Sequence, residues 1–553
     1  MSQPRILLVT LNAKYIHASL GLRYLLANMA RHGGGDLREA TSLHEFTIHS
    51  PAQEVVDALL AQLETSLGRD SDLAPGSSAH PIALNSAPNA LEIVGFGVYI
   101  WNITQTTEVV RLLKSQRPQV KVILGGPEVS HELEGREIVL LSDHVITGWG
   151  DVSFPKLCSA LVSGPQPLMK VIAGEQPPLD QIALPYGEYG ADDLAHRVLY
   201  VEASRGCPFK CEFCLSALDK TAWAFDLDLF LAELEVLCKR GARSFKFVDR
   251  TFNLKVDASV RVLQFFLDRL EANPEEPLEL HFEVVPDHLP ERLKAMLVQF
   301  PAGVLQLEVG IQSFNPEVQQ RISRKQDNAT SEANLRWLVQ HTHAHLHTDL
   351  IFGLPGETWQ SFAAGFDRLH ALGPHEIQLG LLKRLPGTPL ARRSLPGQTA
   401  EFGMTYDPQP PYTVLHTDAV SADEVQAFSR VARYWDLVAN SGRFPRALAL
   451  LLSGGSAFAA WEAFARWLWQ TSQVTSTLTP EHLVDALFGY LTEQRAMQAD
   501  TVRSALLADY LASGARAKPV SLQGHLPGRK ERAYLVATQT QQRQRRHLQA
   551  AKV

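Results

Sequence analysis

Three cysteines within eight residues, Cys207-Pro208-Phe209-Lys210-Cys211-Glu212-Phe213-Cys214, constrain this chain more than any other stretch. They follow a strand-like run, Val198 to Ser204, and the turn Arg205-Gly206. With three residues between the first two and two between the last pair, all three thiols can converge on one compact inorganic centre. Iron–sulfur clusters are held by Cys thiolates, and a four-iron cubane normally takes four of them. A loop that offers three leaves one iron without a protein ligand, open to a small molecule. Other readings fit less well. Cys158 and Cys238 lack the second closely spaced Cys or His pair that a structural zinc site needs. A disulfide framework suits a small secreted domain, not five Cys in 553 residues. Chance clustering of apolar thiols leaves the preceding strand and the Gly-Cys-Pro turn unexplained.

A hydrophobic content of 45% and a charged content of 20% describe an ordinary globular chain with room for several domains. The formal net charge of −7 argues against a surface built for nucleic acid. Met-Ser-Gln-Pro-Arg runs straight into the strand Ile6 to Val9, so no signal peptide is expected. No apolar run is long enough to cross a bilayer, so a membrane is not an expected partner. Few Cys and an oxygen-sensitive centre point to a cytoplasmic location.

The fold class expected is α/β with three parts. Over residues 1–185, short apolar runs (Ile6 to Val9, Ile93 to Tyr99, Val120 to Leu124, Val145-Ile146) alternate with helical patterns such as Leu20 to Met29. That alternation predicts a Rossmann-like, doubly wound parallel sheet with its ligand at the carboxyl ends of the strands. Gly97, Gly125-Gly126 and Gly148-Trp149-Gly150 fall at those ends, where glycine lets a ligand approach the backbone. The G-x-G-x-x-G dinucleotide fingerprint is missing. Residues 66–90, rich in Ser, Ala, Pro, Gly and Asn, read as a flexible surface insert. Over 186–398, six strand candidates (Val198–Ala203, Ser244–Val248, Leu278–Val285, Val304–Gly310, Leu346–Phe352, Glu376–Leu382) alternate with helices. Six units suit a partial, open (β/α)6 barrel with its site at the carboxyl ends. Over 399–553, prolines at 408, 410 and 411 mark a linker, and helical patterns follow. Trp461, Trp467 and Trp469 read as core of that mostly helical domain. Ten Lys or Arg against two acidic residues from Arg503 onward read as a solvated or frayed end. The alternating His341, His343, His345 and His347 lead into a strand and are read as packing or solvated residues, not a second metal site.

The Cys loop resembles the defining motif of the radical S-adenosylmethionine (SAM) superfamily. The resemblance implies that Cys207, Cys211 and Cys214 bind a 4Fe–4S cluster, whose free iron chelates the amino and carboxylate groups of SAM. Phe213 matches an aromatic near the adenine, Asp249 an element after the second strand, and Glu283 a partner for the ribose hydroxyls. Gln312, Ser313 and Arg324 match the fourth-strand segment and the basic residue that meets the SAM carboxylate, and Gly353 lies in a fifth strand that passes the adenine. The front domain looks like the cobalamin-binding domain of one radical SAM subgroup, through Leu8 to Asn12, Gly125 to Glu128 and Gly148 to Asp151. That subgroup usually has Gly-Glu-Gly-Glu in the last segment, so Trp149 and Asp151 depart from it. The Asp-x-His-x-x-Gly signature is absent, which implies base-off cobalamin without a His ligand; His17 is the nearest candidate and reads better as a packing residue. The last part resembles the helical domain of unknown function carried by some of these proteins. Together these imply an enzyme that reductively cleaves SAM to a 5′-deoxyadenosyl radical, transfers a methyl group to an unactivated carbon of a small molecule, and takes electrons from a flavodoxin or ferredoxin. A cyclase, rearrangement or oxidation enzyme with the same cofactors, and a non-catalytic cobalamin carrier, remain as alternatives. A methylthiotransferase fits less well, because no Cys precedes Cys158.

Overall fold

The computed structural model describes residues 4–64, 90–393, 401–515, 517–526 and 546–547. The insert expected over 66–90, apart from Ala90, and most of the basic tail lie outside these residues, as does the boundary placed at 398/399.

Strands β1 (Arg5–Asn12), β2 (Thr41–Thr47), β3 (Glu92–Gly97), β4 (Lys121–Gly125), β5 (His144–Thr147) and β6 (Val171–Ala173) form one sheet in the order β2-β1-β3-β4-β5-β6. Every pairing is parallel. The side chains of β1 show why helices cover both faces. Ile6 and Leu8 pack with Leu22, Met29 and Phe154 on one side. Leu7, Val9 and Leu11 pack with Val55, Leu59, Val109 and Leu113 on the other. A strand buried on both faces reads as a continuous apolar run, which made β1 visible. β2 and β6 were not expected: β2 carries Ser, His, Glu and Thr, and β6 is a short edge strand. Because β1 pairs with β2 on one side and β3 on the other, strand order reverses there and leaves a crevice at the carboxyl ends.

β7 (Leu199–Val201) opens the second sheet, and a two-residue ribbon follows it, β8 (Ser204–Arg205) against β9 (Trp223–Ala224). β10 (Ser244–Phe247), β11 (Glu279–Val284), β12 (Leu305–Gln312), β13 (His345–Phe352) and β14 (Glu376–Leu381) complete it, in strictly sequential parallel order from β7 to β14. This is the expected run of six βα units, opened between β7 and β14. In β12, buried Leu305, Leu307, Val309 and Ile311 face the helices. The alternate residues Gln306, Glu308, Gly310 and Gln312 face the interior.

The remaining chain is a hairpin, β15 (Thr405–Tyr406) against β16 (Val414–His416), followed by helices including Ala422–Val438, Pro445–Leu451, Ala457–Ser472, Pro480–Gly489 and Ala499–Ala512. Trp461 is fully buried, and Trp467 and Trp469 pack against the same core. That core is continuous with the barrel's: Phe352 stacks on Phe428 at 4.2 Å, and Phe366 meets Trp435 edge-on at 4.9 Å. The helical part also covers the open edge of the sheet. The Asn440 carboxamide accepts from Ile377 N–H and donates to Ile377 C=O, both at 3.0 Å, so the β14 backbone is paired rather than left bare. Among the described residues, no helix is long and apolar enough to cross a membrane.

Candidate functional site

The thiol loop is fixed before any ligand is considered. The ribbon β8–β9 closes it, and Gly206 begins it at φ 85°. Cys207 N–H donates to Asp219 C=O at 2.9 Å, and Cys214 N–H to Cys211 C=O at 3.1 Å. Glu212 N–H reaches Ile322 C=O at 3.0 Å, while its carboxylate accepts from Ser323 at 2.8 Å and Arg393 at 2.9 Å. Cys207, Cys211 and Cys214 then line one cavity of about 210 Å³ at the carboxyl ends of the barrel strands.

Burial pushes the Cys207 and Cys211 thiols up; the Arg324 guanidinium, 3.8 Å from Cys211 Sγ, pulls the second back down. Cys158 and Cys238 are buried elsewhere, and burial raises both, Cys238 to about 11. Among the described residues, no three His, Cys, Asp or Glu side chains surround a single metal ion. A cubane asks for something different, since each thiolate binds a different iron. Three thiols from one loop facing one cavity, with a cation at its edge, fit that donor set.

Of the other expected residues, Phe213, Glu283, Gln312 and Arg324 line the same cavity. Glu283 accepts from Arg250 at 2.8 Å; burial raises its carboxyl, and Arg250 opposes that. Gln312 sits at φ 69° where the β12–β13 register slips, and Arg324 donates to Gly310 C=O beside it. Such a bulge re-aims a side chain at a strand end. Asp249, Ser313 and Gly353 do not line the cavity. Asp249 is buried behind the loop, accepting from Ala203 N–H at 2.9 Å and the Ser204 hydroxyl at 2.6 Å, and burial pushes it up to about 7. Ser313 donates to Glu357, and a Cβ on Gly353 would lie 2.6 Å from Val414 Cγ1.

The sequence reading missed a charged layer on the inward face of the sheet. Lys246, His281, Glu308, His347 and Asp349 share that face through the parallel register. Glu308 accepts from His281 at 2.8 Å and lies 3.3 Å from Lys246 Nζ. Burial alone would raise its carboxyl, but His281 and Lys246 hold it well below the usual carboxylate range. His347 stands 3.2 Å from Asp349, which overcomes burial and carries the imidazole up to about 9. Polar residues at every second position inside apolar strands were the available signal. His345 pairs with Glu376 at 3.0 Å and His341 with Trp337 C=O at 3.0 Å, so these two and His347 have protein partners, while His343 is exposed.

A second cavity of about 250 Å³ lies at the carboxyl ends of the front sheet. Gly97, Gly125, Gly126, Gly148 and Gly150 line it together, with Tyr99, Trp149, Asp151 and Arg205. A Cβ at Gly148 would meet nothing within 4 Å, so the backbone there faces open space. None of the lining residues is a histidine. Asn12 points elsewhere, donating to His17 C=O at 2.7 Å and Glu45 at 2.9 Å. His17 lies away from this cavity, its Nδ1 2.8 Å from the Tyr200 hydroxyl.

Residues 201–369 match the model of the radical SAM superfamily, and residues 400–552 match a family described as a protein of unknown function (DUF4080). The chain is 24% identical over 375 residues to a cobalamin-dependent radical SAM methyltransferase, TokK, of Streptomyces tokunonensis, covering 62% of this chain and 53% of that one. It is 24% identical over 408 residues to a 2-(S-pantetheinyl)-carbapenam-3-carboxylate methyltransferase of Streptantibioticus cattleyicolor, covering 65% and 58%. It thus spans little more than half the length of these relatives. Among solved structures, the radical SAM methyltransferase TsrM of Kitasatospora setae, with cobalamin and a [4Fe-4S] cluster bound, aligns with a TM-score of 0.54 at 15% identity, over 85% of this chain and 99% of that one. The cobalamin-dependent SAM radical enzyme OxsB with aqua-cobalamin aligns with a TM-score of 0.56 at 12% identity, over 92% and 79%. Those likenesses are of fold.

Proposed function

For a chain that carries a radical SAM domain over residues 201–369 and a DUF4080 domain over 400–552, we propose a cobalamin-dependent radical SAM methyltransferase acting on an unactivated carbon of a small molecule. The observation that carries the reading is the convergence of Cys207, Cys211 and Cys214 on a cavity shared with Phe213, Glu283, Gln312 and Arg324. When bound, a 4Fe–4S cluster supplies the electron that cleaves SAM to methionine and a 5′-deoxyadenosyl radical, and cobalamin supplies the methyl group.

Cys207, Cys211 and Cys214 hold the cluster. Arg324 offers its cation to the SAM carboxylate, and Glu283 accepts hydrogen bonds from the ribose hydroxyls. Phe213 flanks the adenine. The glycine-lined cavity of residues 1–185 would hold cobalamin, and no lining residue there offers an imidazole to the cobalt. Residues 186–398 hold the cluster, SAM and substrate, and a flavodoxin- or ferredoxin-type donor supplies electrons.

Anaerobically reconstituted protein, given SAM labelled in its methyl group and a strong reductant, should form 5′-deoxyadenosine and pass label to a product. Deoxyadenosine without label in any product would favour cyclisation or rearrangement. Cys211→Ala should abolish both iron loading and SAM cleavage; iron retained at the wild-type level would sink the assignment.

A further inference from the structure

We propose that Arg205, with Asp151, Trp149 and Asp219, forms a latch that fixes the front cavity against the thiol cavity. Arg205 lines the front cavity, yet it stands two residues before Cys207. Its guanidinium forms a two-pronged pair with Asp151, Nη1 to Oδ2 at 2.9 Å and Nη2 to Oδ1 at 3.1 Å. Its Nε donates to Glu202 at 2.7 Å. All three charged side chains are nearly buried, at 13%, 8% and 10% exposure for Arg205, Asp151 and Glu202. The rings of Tyr24 and Trp149 lie 4.3 and 5.0 Å from the guanidinium carbon. Planar bidentate pairing between two fixed loops sets distance and direction at once.

The second contact runs in parallel. Trp149 Nε1–H donates to Asp219 Oδ2 at 2.9 Å, and Asp219 C=O is the acceptor that holds Cys207 N–H at 2.9 Å. The other Asp219 oxygen takes the Thr221 N–H and hydroxyl at 3.0 and 2.7 Å. Thus the residues on either side of Gly150 grip the thiol loop at both ends of the turn that presents Cys207. A shift of the front loop must either break a buried charge pair or carry the thiol loop with it. These are positioning residues, and they act through the two loops.

The test uses the full chain, first with no cofactor present. Asp151→Asn keeps the shape and removes the charge; Trp149→Phe keeps an aromatic ring near Arg205 while removing the N–H donor and part of the ring area. Amide hydrogen exchange should accelerate tenfold or more in residues 203–215 as well as 148–152 in Asp151→Asn, with Asp151→Glu restoring part of the protection. Trp149→Phe should accelerate the amides of Cys207 and Thr221. Unchanged exchange across 203–215 in both variants refutes the latch. If one variant fails to fold, the other decides. A second arm rests on the front cavity being the cobalamin site: hydroxocobalamin affinity should fall tenfold or more in both variants. Wild-type protein that binds no cobalamin would remove that reading and leave the latch to the exchange result. Wild-type binding with unchanged affinity in both variants would count against the latch alone.

Discussion

Replacing Gly206 with Ala tests whether the turn before Cys207 is what presents the thiols. Gly206 has φ 85°, which costs an L-residue about 1–2 kcal/mol. The added Cβ would stand 2.7 Å from Ala222 N, 2.8 Å from Thr221 Oγ1 and 2.9 Å from Asp219 O. Two of those atoms are backbone, so the ribbon has to open, and the Cys207 N–H bond to Asp219 C=O goes with it. A lost hydrogen bond of this kind adds about 1 kcal/mol, for a total of about 2–4 kcal/mol with the local repacking. Gly241→Ala is the control, since Gly241 has φ 105° but nothing within 4 Å of its Cβ. It should show the backbone term alone, about 1–2 kcal/mol. The measurements are the urea midpoint of the iron-free protein and the iron and sulfide bound per chain after anaerobic reconstitution. Gly206→Ala should unfold earlier than the control and load less than half the wild-type iron. Equal midpoints and full loading in both variants would refute the argument that this turn builds the site.

Acid should weaken the barrel through His375, whose Nδ1 accepts Leu346 N–H at 3.0 Å. Burial, with His345 and His547 nearby and Glu376 opposing, lowers its pKa to about 3, so the neutral ring is the folded form. Stability is therefore present above the unfolded value near 6.5 and falls as pH drops toward 3, by at most about 1.4 kcal/mol per pH unit. Denaturant midpoints of wild type and His375→Asn should converge as pH falls from 7 to 4.5. In the helical domain, Asp509 is wholly buried and accepts from Ala447 N–H at 2.9 Å and Arg446 N–H at 3.1 Å. Asp509→Ala should cost about 2 kcal/mol by unmaking a helix cap and a pair whose Arg446 side is one-third exposed, read as an earlier thermal transition.

Legibility in the sequence followed burial pattern and spacing. Six barrel strands and four front strands announced themselves because their residues are apolar on one or both faces. β2 stayed hidden because Ser42, His44 and Glu45 interrupt that pattern; Glu45 is held inside by Arg23 and Arg197, partners far away in sequence. The thiols, Arg324 and the front glycines lay in short local motifs, and each group lines one cavity. Asp249 and Ser313 looked equally good as motif positions, yet their side chains are satisfied by Ser204 and Glu357, which only tertiary structure brings near. Trp149 and Asp151 looked like departures from a loop pattern. Their partners, Asp219 and Arg205, lie more than fifty residues downstream, so local sequence gave no reason for them.

The hairpin β15–β16 belongs by sequence to the last third of the chain, but its apolar side chains sit elsewhere. Val414 and Met404 share one cluster with Leu354, Leu382 and Phe213 of the thiol loop. Its Tyr412 hydroxyl bonds Glu128 at 2.6 Å and Arg136 at 2.7 Å, in the segment between β4 and β5 of the front part. Trimming the protein to its first two parts would strip the underside from the very segment that carries the cysteines. The segment that matches a family of unknown function thus serves as masonry: a chain cut before residue 401 loses the apolar backing behind Phe213 and the Tyr412 ties to Glu128 and Arg136.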